Sequence, residues 1–435
     1  MLDINFIRNN PEEVKKGIAA KNVSPNFVDE FLVLDKEWRE LTSKLDNLRA
    51  EHKILSQTYA DRGADKRGQE AEAAKENKEK IKEIESKLNE TEKRREEILN
   101  GLPNLPFDDV PIGKNEDDNV VIREVGKKPE FDFKPKEHWE IGEELDIIDI
   151  SRAAKVSGSR FSYLKGDLAL LEIALIQFVF SVLGNEKILK GIIKSANLDV
   201  VSTPFIPIIP PVLIKPDVLQ KMARLEPKEE RYHTDEDDMY LVGSAEHTLG
   251  SMHMDEIFKE DQLPLRYVGF STSFRREAGS YGKDVKGILR VHQFDKVEME
   301  SFTIPEDSRK EQDFIVAIQE YLMKALEIPY RVINICTGDM GGPDARQIDI
   351  EAWMPGQDRY RETHTSDLNT DYQSRRLNIK VKRDNGETEF VHMNDATAFA
   401  IGRTIIAIIE NYQTKNGTVK IPKVLQKYMG IKEIK

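Results

Sequence analysis

The sequence predicts an α+β protein: an antiparallel sheet with helices packed on it, preceded by an N-terminal antiparallel coiled-coil arm. Three observations carry this. Leu34, Trp38, Leu41, Leu45, Leu48, His52, Leu55 and Tyr59 recur at alternating spacings of four and three, and the pattern resumes at Ala74, Asn77, Ile81, Ile84, Leu88, Thr91, Arg95 and Ile98. After His138 several strand-like segments follow one another without intervening helices, as in an antiparallel sheet. At 435 residues and 39% hydrophobic, the chain is too long for one ordinary core and suits two or three domains.

Met1 to about Asn22 reads as a small helical start, with Asn10-Pro11-Glu12-Glu13 as a helix opening. The two heptad runs flank a break at Asp61-Arg62-Gly63-Ala64-Asp65, which makes them a hairpin. About 32 residues per helix give an arm of roughly 48 Å at 1.5 Å per residue. Gly101-Leu102-Pro103-Asn104-Leu105-Pro106 ends the second helix. The expected domains are 1–106, helical with the arm at about 28–100; 107–137, an acidic linker; and 138–435, the sheet domain. Within the last, helices are expected near Asp167–Leu183, Phe314–Glu327 and Thr397–Gln413. Strands are expected near Leu265–Phe274, Leu289–Phe302, Tyr330–Cys336, Gln347–Trp353, Arg359–Thr365 and Glu389–Met393.

A net charge of −13 argues against non-specific coating of nucleic acid. Near the arm tip, Arg49, Lys53, Arg62, Lys66 and Arg67 outweigh Glu51, Asp61 and Asp65, a local balance of +2. A solvated coiled-coil face and a surface resting on RNA phosphates both fit this composition. The single cysteine, Cys336, excludes an intrachain disulfide and a multi-cysteine zinc site; no zinc is expected, and an apolar setting makes it a core thiol. MLDINFIRNN lacks an apolar signal core and no run reaches 18 apolar residues, so a soluble, cytoplasmic chain without membrane contact is expected. Neither GxxxxGK[ST] nor GxGxxG occurs, so any nucleotide site is of another kind.

Polar residues cluster where a structural sheet would not place them. Between Phe274 and Glu300, period-two alternation puts Arg275 and Glu277 on one face of one strand, and Arg290, His292, Phe294, Lys296, Glu298 and Glu300 on one face of its partner. Both charge signs around an aromatic suit a polyanion with an attached base. Ser244 and Glu246 end an apolar strand, Glu362 and Thr365 close YRETHT, and Arg403 interrupts AFAIGRTIIAIIE, where it needs an anion. Singly, each has an ordinary reading as a surface pair or a buried ion-pair partner.

In this order the segments resemble class II aminoacyl-tRNA synthetases, and closely the seryl-tRNA synthetase family. Pro211 in IIPPVLI resembles the first class motif, FRREAGSYGKDVKGILRVHQFDKVEM the second and AIGRTIIAIIENYQ the third. CTGDMG, DIEAWMPGQ, YRETHT, SDLNTDYQSRRLNIK and IPKVLQKYMG match the serine subgroup. The resemblance spans nearly the whole chain. It implies an antiparallel class II catalytic domain that activates L-serine with ATP and Mg²⁺ and then loads tRNA(Ser), and it leaves open whether tRNA(Sec) is a further substrate. It also implies a homodimer and an arm contacting the variable stem of the tRNA.

The resemblance further implies roles. Arg275 contacts the α-phosphate and the serine carboxylate, Glu277 the adenine amino group, and Phe294 the adenine ring. Arg403 takes the other face of the ring and the γ-phosphate. Arg276, Arg290, Val291, Thr363 and His364 complete the ATP side, and Glu362 with Thr365 holds Mg²⁺. Glu246 and Glu298 hold the serine ammonium, with Ser244 and Ala245 beside them, and Thr397 meets the hydroxyl. Arg275, Glu298 and Arg403 carry the catalysis. The chain departs from the family's wording at Ser244, where Thr is usual, at Asn394-Asp395-Ala396-Thr397, and at His364-Thr365, where serines are usual. A paralogue loading serine onto a carrier protein would lack the arm. A non-catalytic RNA-binding relative would have no need of Arg275, Glu277, Glu298, Glu362 and Arg403.

Overall fold

The chain divides into two units, Met1–Leu105 and Pro106–Lys435. A computed structural model describes residues 1–61, 67–278 and 286–435, without the side chains of 58–61 and 67–71.

In the first unit, α1 (Ile4–Asn9) is capped by Asp3, whose carboxylate accepts from the Asn5 and Phe6 amides, and α2 (Pro11–Ala20) starts on Pro11. Then come α3 (Asn26–Asp61) and α4 (Arg67–Gly101), of 36 and 35 residues, somewhat longer than the heptads predict. Ion pairs Glu30–Arg94, Glu37–Lys87 and Glu85–Arg49 run in opposite numerical order along the two helices, so they are antiparallel. Leu41, Leu45 and Ile84 are buried between them, with Leu48, Ile81 and Leu88 beside. At the base the seam turns ionic. Asp35 accepts from Arg8 at 2.8 Å and from Arg95 at 2.9 Å, and Arg95 lies 4.8 Å from the Trp38 ring centroid. Of the arm residues expected to meet RNA, Arg49 is paired with Glu85 at 2.9 Å and Lys53 is exposed. Arg62 and Lys66 lie outside the described residues, as does the side chain of Arg67.

The second unit is built on an eight-stranded sheet. Its strands are β1 (Val120–Val125), β2 (Ile206–Ile208), β3 (Leu265–Phe274), β4 (Gln293–Thr303), β5 (Tyr330–Asn334), β6 (Arg346–Met354), β7 (Arg359–Thr370) and β8 (His392–Ala400). The order is β1-β5-β6-β7-β8-β4-β3-β2, antiparallel except for β2–β3. Segment 107–137 is not purely a linker: β1 pairs with β5, and the Phe107 amide donates to the Ala345 carbonyl. In this edge strand Val120, Val121 and Ile122 are all exposed, so it lacks the apolar–polar alternation that marks a half-buried strand. The expected strand at Glu389–Met393 is interrupted at Val391, with β8 beginning at His392.

One sheet face packs on α5 (Asp167–Leu183), α9 (Ser308–Ala325) and α11 (Ile401–Asn411), the labels α6 (Glu186–Ala196), α7 (Pro216–Lys221) and α8 (Glu246–Leu249) going to helices between. Val297 and Met299 of β4, Ile348 and Ile350 of β6 and Ala396 and Ala398 of β8 join Leu171, Leu175 and Phe178 of α5 in the main core. A second core lies around Met222, Leu249, Phe302, Leu377 and Met393, with α10 (Tyr372–Leu377) over it. The predicted alternation in β4 holds: Val297 and Met299 turn to the core, while Lys296, Glu298 and Glu300 are buried on the other face. Among the described residues no single helix is long and apolar enough to cross a membrane, and α5 with α6, a pair bent by 76°, packs its apolar residues into the main core.

Candidate active site

Two β-bulges build the polar face. On β7, Ile350 pairs with His364 but Glu351 pairs with Glu362, leaving Thr363 as an extra residue. The bulge changes the parity, so Glu362 and Thr365, three apart, both face the cavity. On β8, Val297 pairs with Phe399 and Glu298 with Thr397, leaving Ala398 extra. Phe399 then enters the core while Asp395 and Thr397 line the cavity. Pairing between β7 and β8 begins at Ser366↔Ala396, and past that point they separate. Gln319 of α9 bridges the separation, donating to the Thr365 carbonyl at 2.9 Å and the Thr397 carbonyl at 2.8 Å.

The cavity so formed measures about 580 Å³. At one end Phe294 lies 5.4 Å from the Arg275 guanidinium, and Arg275 Nε donates to the Gly243 carbonyl at 3.3 Å. Arg290 and Glu277 stand 3.6 Å apart. Across from them Arg403 meets Glu362 at 3.0 Å. Burial raises the Glu362 pKa, yet the Arg403 charge outweighs it and holds the carboxylate ionised. Behind it, Asp349 is pushed well above the usual carboxylate range by burial and by Glu362.

At the other end Ser244 Oγ donates to Glu298 at 2.6 Å, and Lys296 pairs with the same carboxylate. Burial raises the Glu298 pKa despite Lys296. Glu246 is held low: burial opposes this, but Arg224, at 2.5 Å, prevails, helped by Lys296. His247 itself is depressed to about 3 by burial, against the pull of Glu246, and stays neutral. Arg231 falls to about 10 through burial and the neighbouring Arg275.

The structure therefore gathers most of the predicted residues. Ser244, Glu246, Arg275, Glu277, Arg290 and Val291 border the cavity, as do Phe294, Glu362, Thr363, Thr365, Thr397 and Arg403. Glu298 lies one layer beneath, fully buried. Three expectations need correction. His364 is 0% exposed with its ring 5.5 Å from Phe399, because the bulge turns it into the core. Arg276 lies over Tyr232 rather than in the cavity, and Ala245 is enclosed in the second core. Two placements also differ. Arg275, Glu277, Arg290 and His292 lie beyond the strands, since β3 ends at Phe274 and β4 begins at Gln293, and Glu277 is left-handed (φ 53°). Helix α11 begins at Ile401, so Thr397 is on a strand and Arg403 in the helix's first turn, facing the cavity rather than interrupting a buried helix.

Sequence reasoning gave no role to Arg224, Arg231, His247, Lys296 or Asp367, all of which border the cavity. Lys296 was legible from its face on β4. Arg224, in QKMARLEP, looks like an ordinary basic helix end.

Two family profiles match, the "Seryl-tRNA synthetase N-terminal domain" over residues 1–106 and the "tRNA synthetase class II core domain (G, H, P, S and T)" over 228–412. The chain is 39% identical to a serine--tRNA ligase of Fervidobacterium nodosum, covering 100% of this chain and 99% of the relative. It is 42% identical to that of Thermodesulfovibrio yellowstonii, covering 100% of both. The crystal structure of seryl-tRNA synthetase from Pyrococcus horikoshii complexed with ATP superposes with a TM-score of 0.89 at 40% identity, covering 100% of this chain and 99% of that one. With both profiles and full-length identity of this order, the chain belongs to the seryl-tRNA synthetase family.

Proposed function

We propose that this protein activates L-serine with ATP and transfers the seryl group to the 3′ end of tRNA(Ser). The observation that carries this reading is the division of one cavity into an arginine-flanked aromatic end and a carboxylate-rich end. Its volume lies within the ordinary range for small-molecule sites, roughly 300–1,000 Å³.

In the first step a serine carboxylate oxygen attacks the α-phosphorus and pyrophosphate leaves. In the second, a hydroxyl of the terminal adenosine attacks the seryl carbonyl and AMP leaves. Both steps need positioning and charge neutralisation more than a protein nucleophile. Phe294 offers a stacking face for adenine and Glu277 an acceptor for its amino group. Arg275 stands between Phe294 and Gly243, where it can span the α-phosphate and the serine carboxylate. Arg403 offers a fork for the terminal phosphates. Glu246, with Glu298 behind Ser244, supplies the negative charge for the α-ammonium. Thr397 offers a hydroxyl to serine's own.

Among the described residues no group of three or more His, Cys, Asp or Glu side chains is arranged to hold a metal ion. Magnesium requires less: one or two carboxylates, with substrate phosphates and water completing the shell. Glu362 and Thr365 fit that need. Burial, and then Glu362, push the neighbouring Asp349 well above the usual carboxylate range, a setting in which added positive charge would be favoured. Bound there, Mg²⁺ would neutralise phosphate charge.

The arm is proposed to hold the variable stem of the tRNA through its basic residues, Lys53 among them. A homodimer is proposed through the edge next to β2, where Ile206, Ile209 and Leu213 are 48%, 74% and 41% exposed. A cytoplasmic location follows from the proposed role in translation. The test is ATP-dependent attachment of labelled serine to a tRNA(Ser) transcript. Charging with serine supports the reading, and transcript left uncharged at high enzyme concentration contradicts it.

A further inference from the structure

The carboxylate end of the cavity closes on an arginine that the chemistry above leaves without a task. Arg224 follows α7. Ala223 before it is left-handed (φ 55°), a strained setting for a residue with a side chain, and this turns the next side chain inward. The turn is fixed to α10, where Gln373 donates to the Met222 carbonyl at 3.0 Å and Arg376 to the Gln220 carbonyl at 3.2 Å. Arg224 Nε reaches Glu246 at 2.5 Å, and Nη2 lies 3.7 Å from Asp344 and 3.6 Å from both Asp367 and Asp395. One guanidinium thus faces four carboxyl groups from four segments of chain. A fifth, Glu300, points into the same cluster, 1% exposed and with neither oxygen hydrogen-bonded.

Such a cluster is short of positive charge. Burial first, and then their neighbours' charges, push Asp395 and Glu300 well above the usual carboxylate range, so protons make up part of the deficit. A salt link serving stability alone would balance one arginine against one or two carboxylates away from the cavity. This one borders the cavity beside Ser244, Thr397 and Glu246.

We propose that Arg224 is the specificity-determining residue of the amino-acid pocket. Its guanidinium fills the space beyond serine's hydroxyl and supplies from the protein the positive charge that a cationic side chain would otherwise bring. Short hydroxylated amino acids fit in front of it, and longer cationic ones are turned away by both bulk and charge. The proposal rests on the serine-activation reading.

The test is pyrophosphate exchange into ATP by the full chain, driven separately by L-serine, L-2,4-diaminobutyrate and L-homoserine. The unaltered protein should exchange with serine and scarcely with the other two. Arg224→Gln removes the charge and leaves a shorter side chain that still donates hydrogen bonds. It should raise the ratio of diaminobutyrate-driven to serine-driven exchange roughly tenfold or more. Arg224→Lys keeps the charge on a slimmer side chain, so diaminobutyrate should still be refused and the gain should move to homoserine. Diaminobutyrate exchange matching that of serine in the unaltered protein overturns the proposal. So do unchanged ratios in whichever variant folds. Absence of serine-driven exchange in the unaltered protein defeats the ligase reading instead.

Discussion

Arg403 meets Glu362 twice through one nitrogen: Nη1 lies 3.0 Å from the carboxylate and donates to the main-chain carbonyl at 3.1 Å. This fastens the first turn of α11 to the bulged part of β7. The arginine is thereby preorganised at the cavity wall, 25% exposed, where it is proposed to meet the terminal phosphates.

Arg403→Ala should lower the exchange rate by about 10²–10³-fold, the loss typical of removing one preorganised donor. Because the side chain is not part of the core, the melting temperature should change little. Exchange kinetics alongside a thermal melt check both halves.

Glu362→Gln removes the carboxylate proposed to hold Mg²⁺. The Mg²⁺ concentration for half-maximal exchange should rise, by more than the ~10-fold that losing an outer-shell partner costs. A magnesium titration at fixed ATP reads this, and an unaltered midpoint speaks against Glu362 as a ligand.

The arm's proposed RNA role gives a way to separate the two half-reactions. Replacing Glu51–Lys80 by a short glycine turn leaves the packed pairs among Leu41, Leu45, Leu48, Ile81, Ile84 and Leu88 in place. Serine activation should persist while tRNA charging falls sharply. Equal loss of both would count against the RNA role.

Stability at the arm's base should depend on Asp35, 1% exposed between Arg8 and Arg95. Asp35→Ala leaves Arg95, 9% exposed, without its carboxylate, at a cost of about 3–5 kcal/mol. Chemical denaturation of the unit measures it.

Glu172 of α5 shares a hydrogen bond with Asp295 of β4, and burial first, then Asp295, raises its pKa from 4.5 to about 8. The folded state keeps a proton that the unfolded chain loses near pH 4.5, so between 4.5 and about 8 stability falls as pH rises. Glu172→Gln should flatten that slope and melt at a higher temperature than the unaltered protein at pH 8. Parallel melting-temperature profiles would show that the carboxyl does not titrate in this window.

The long elements were legible because their patterns are strong. The heptads, α5 and β3 follow spacings that burial imposes, and β4 keeps its alternation from Phe294 to Glu300. What the sequence hid lies where periodicity breaks. The extra residue Thr363 sent His364 into the core and the extra residue Ala398 sent Phe399 there, while Thr397 stays on a strand because β8 runs on to Ala400. Arg224 was hidden for another reason: its partners Glu246, Asp344, Asp367 and Asp395 are distant in the chain, and only the fold brings them together. The edge strand β1, apolar yet exposed, resembles a linker in composition.

The central claim is that one cavity holds serine and ATP for adenylate formation. Serine-dependent exchange of labelled pyrophosphate into ATP tests it most directly, with threonine and alanine as controls. Exchange should require serine and ATP together and be much weaker with either control. No exchange with any amino acid, or exchange as fast with alanine as with serine, contradicts it.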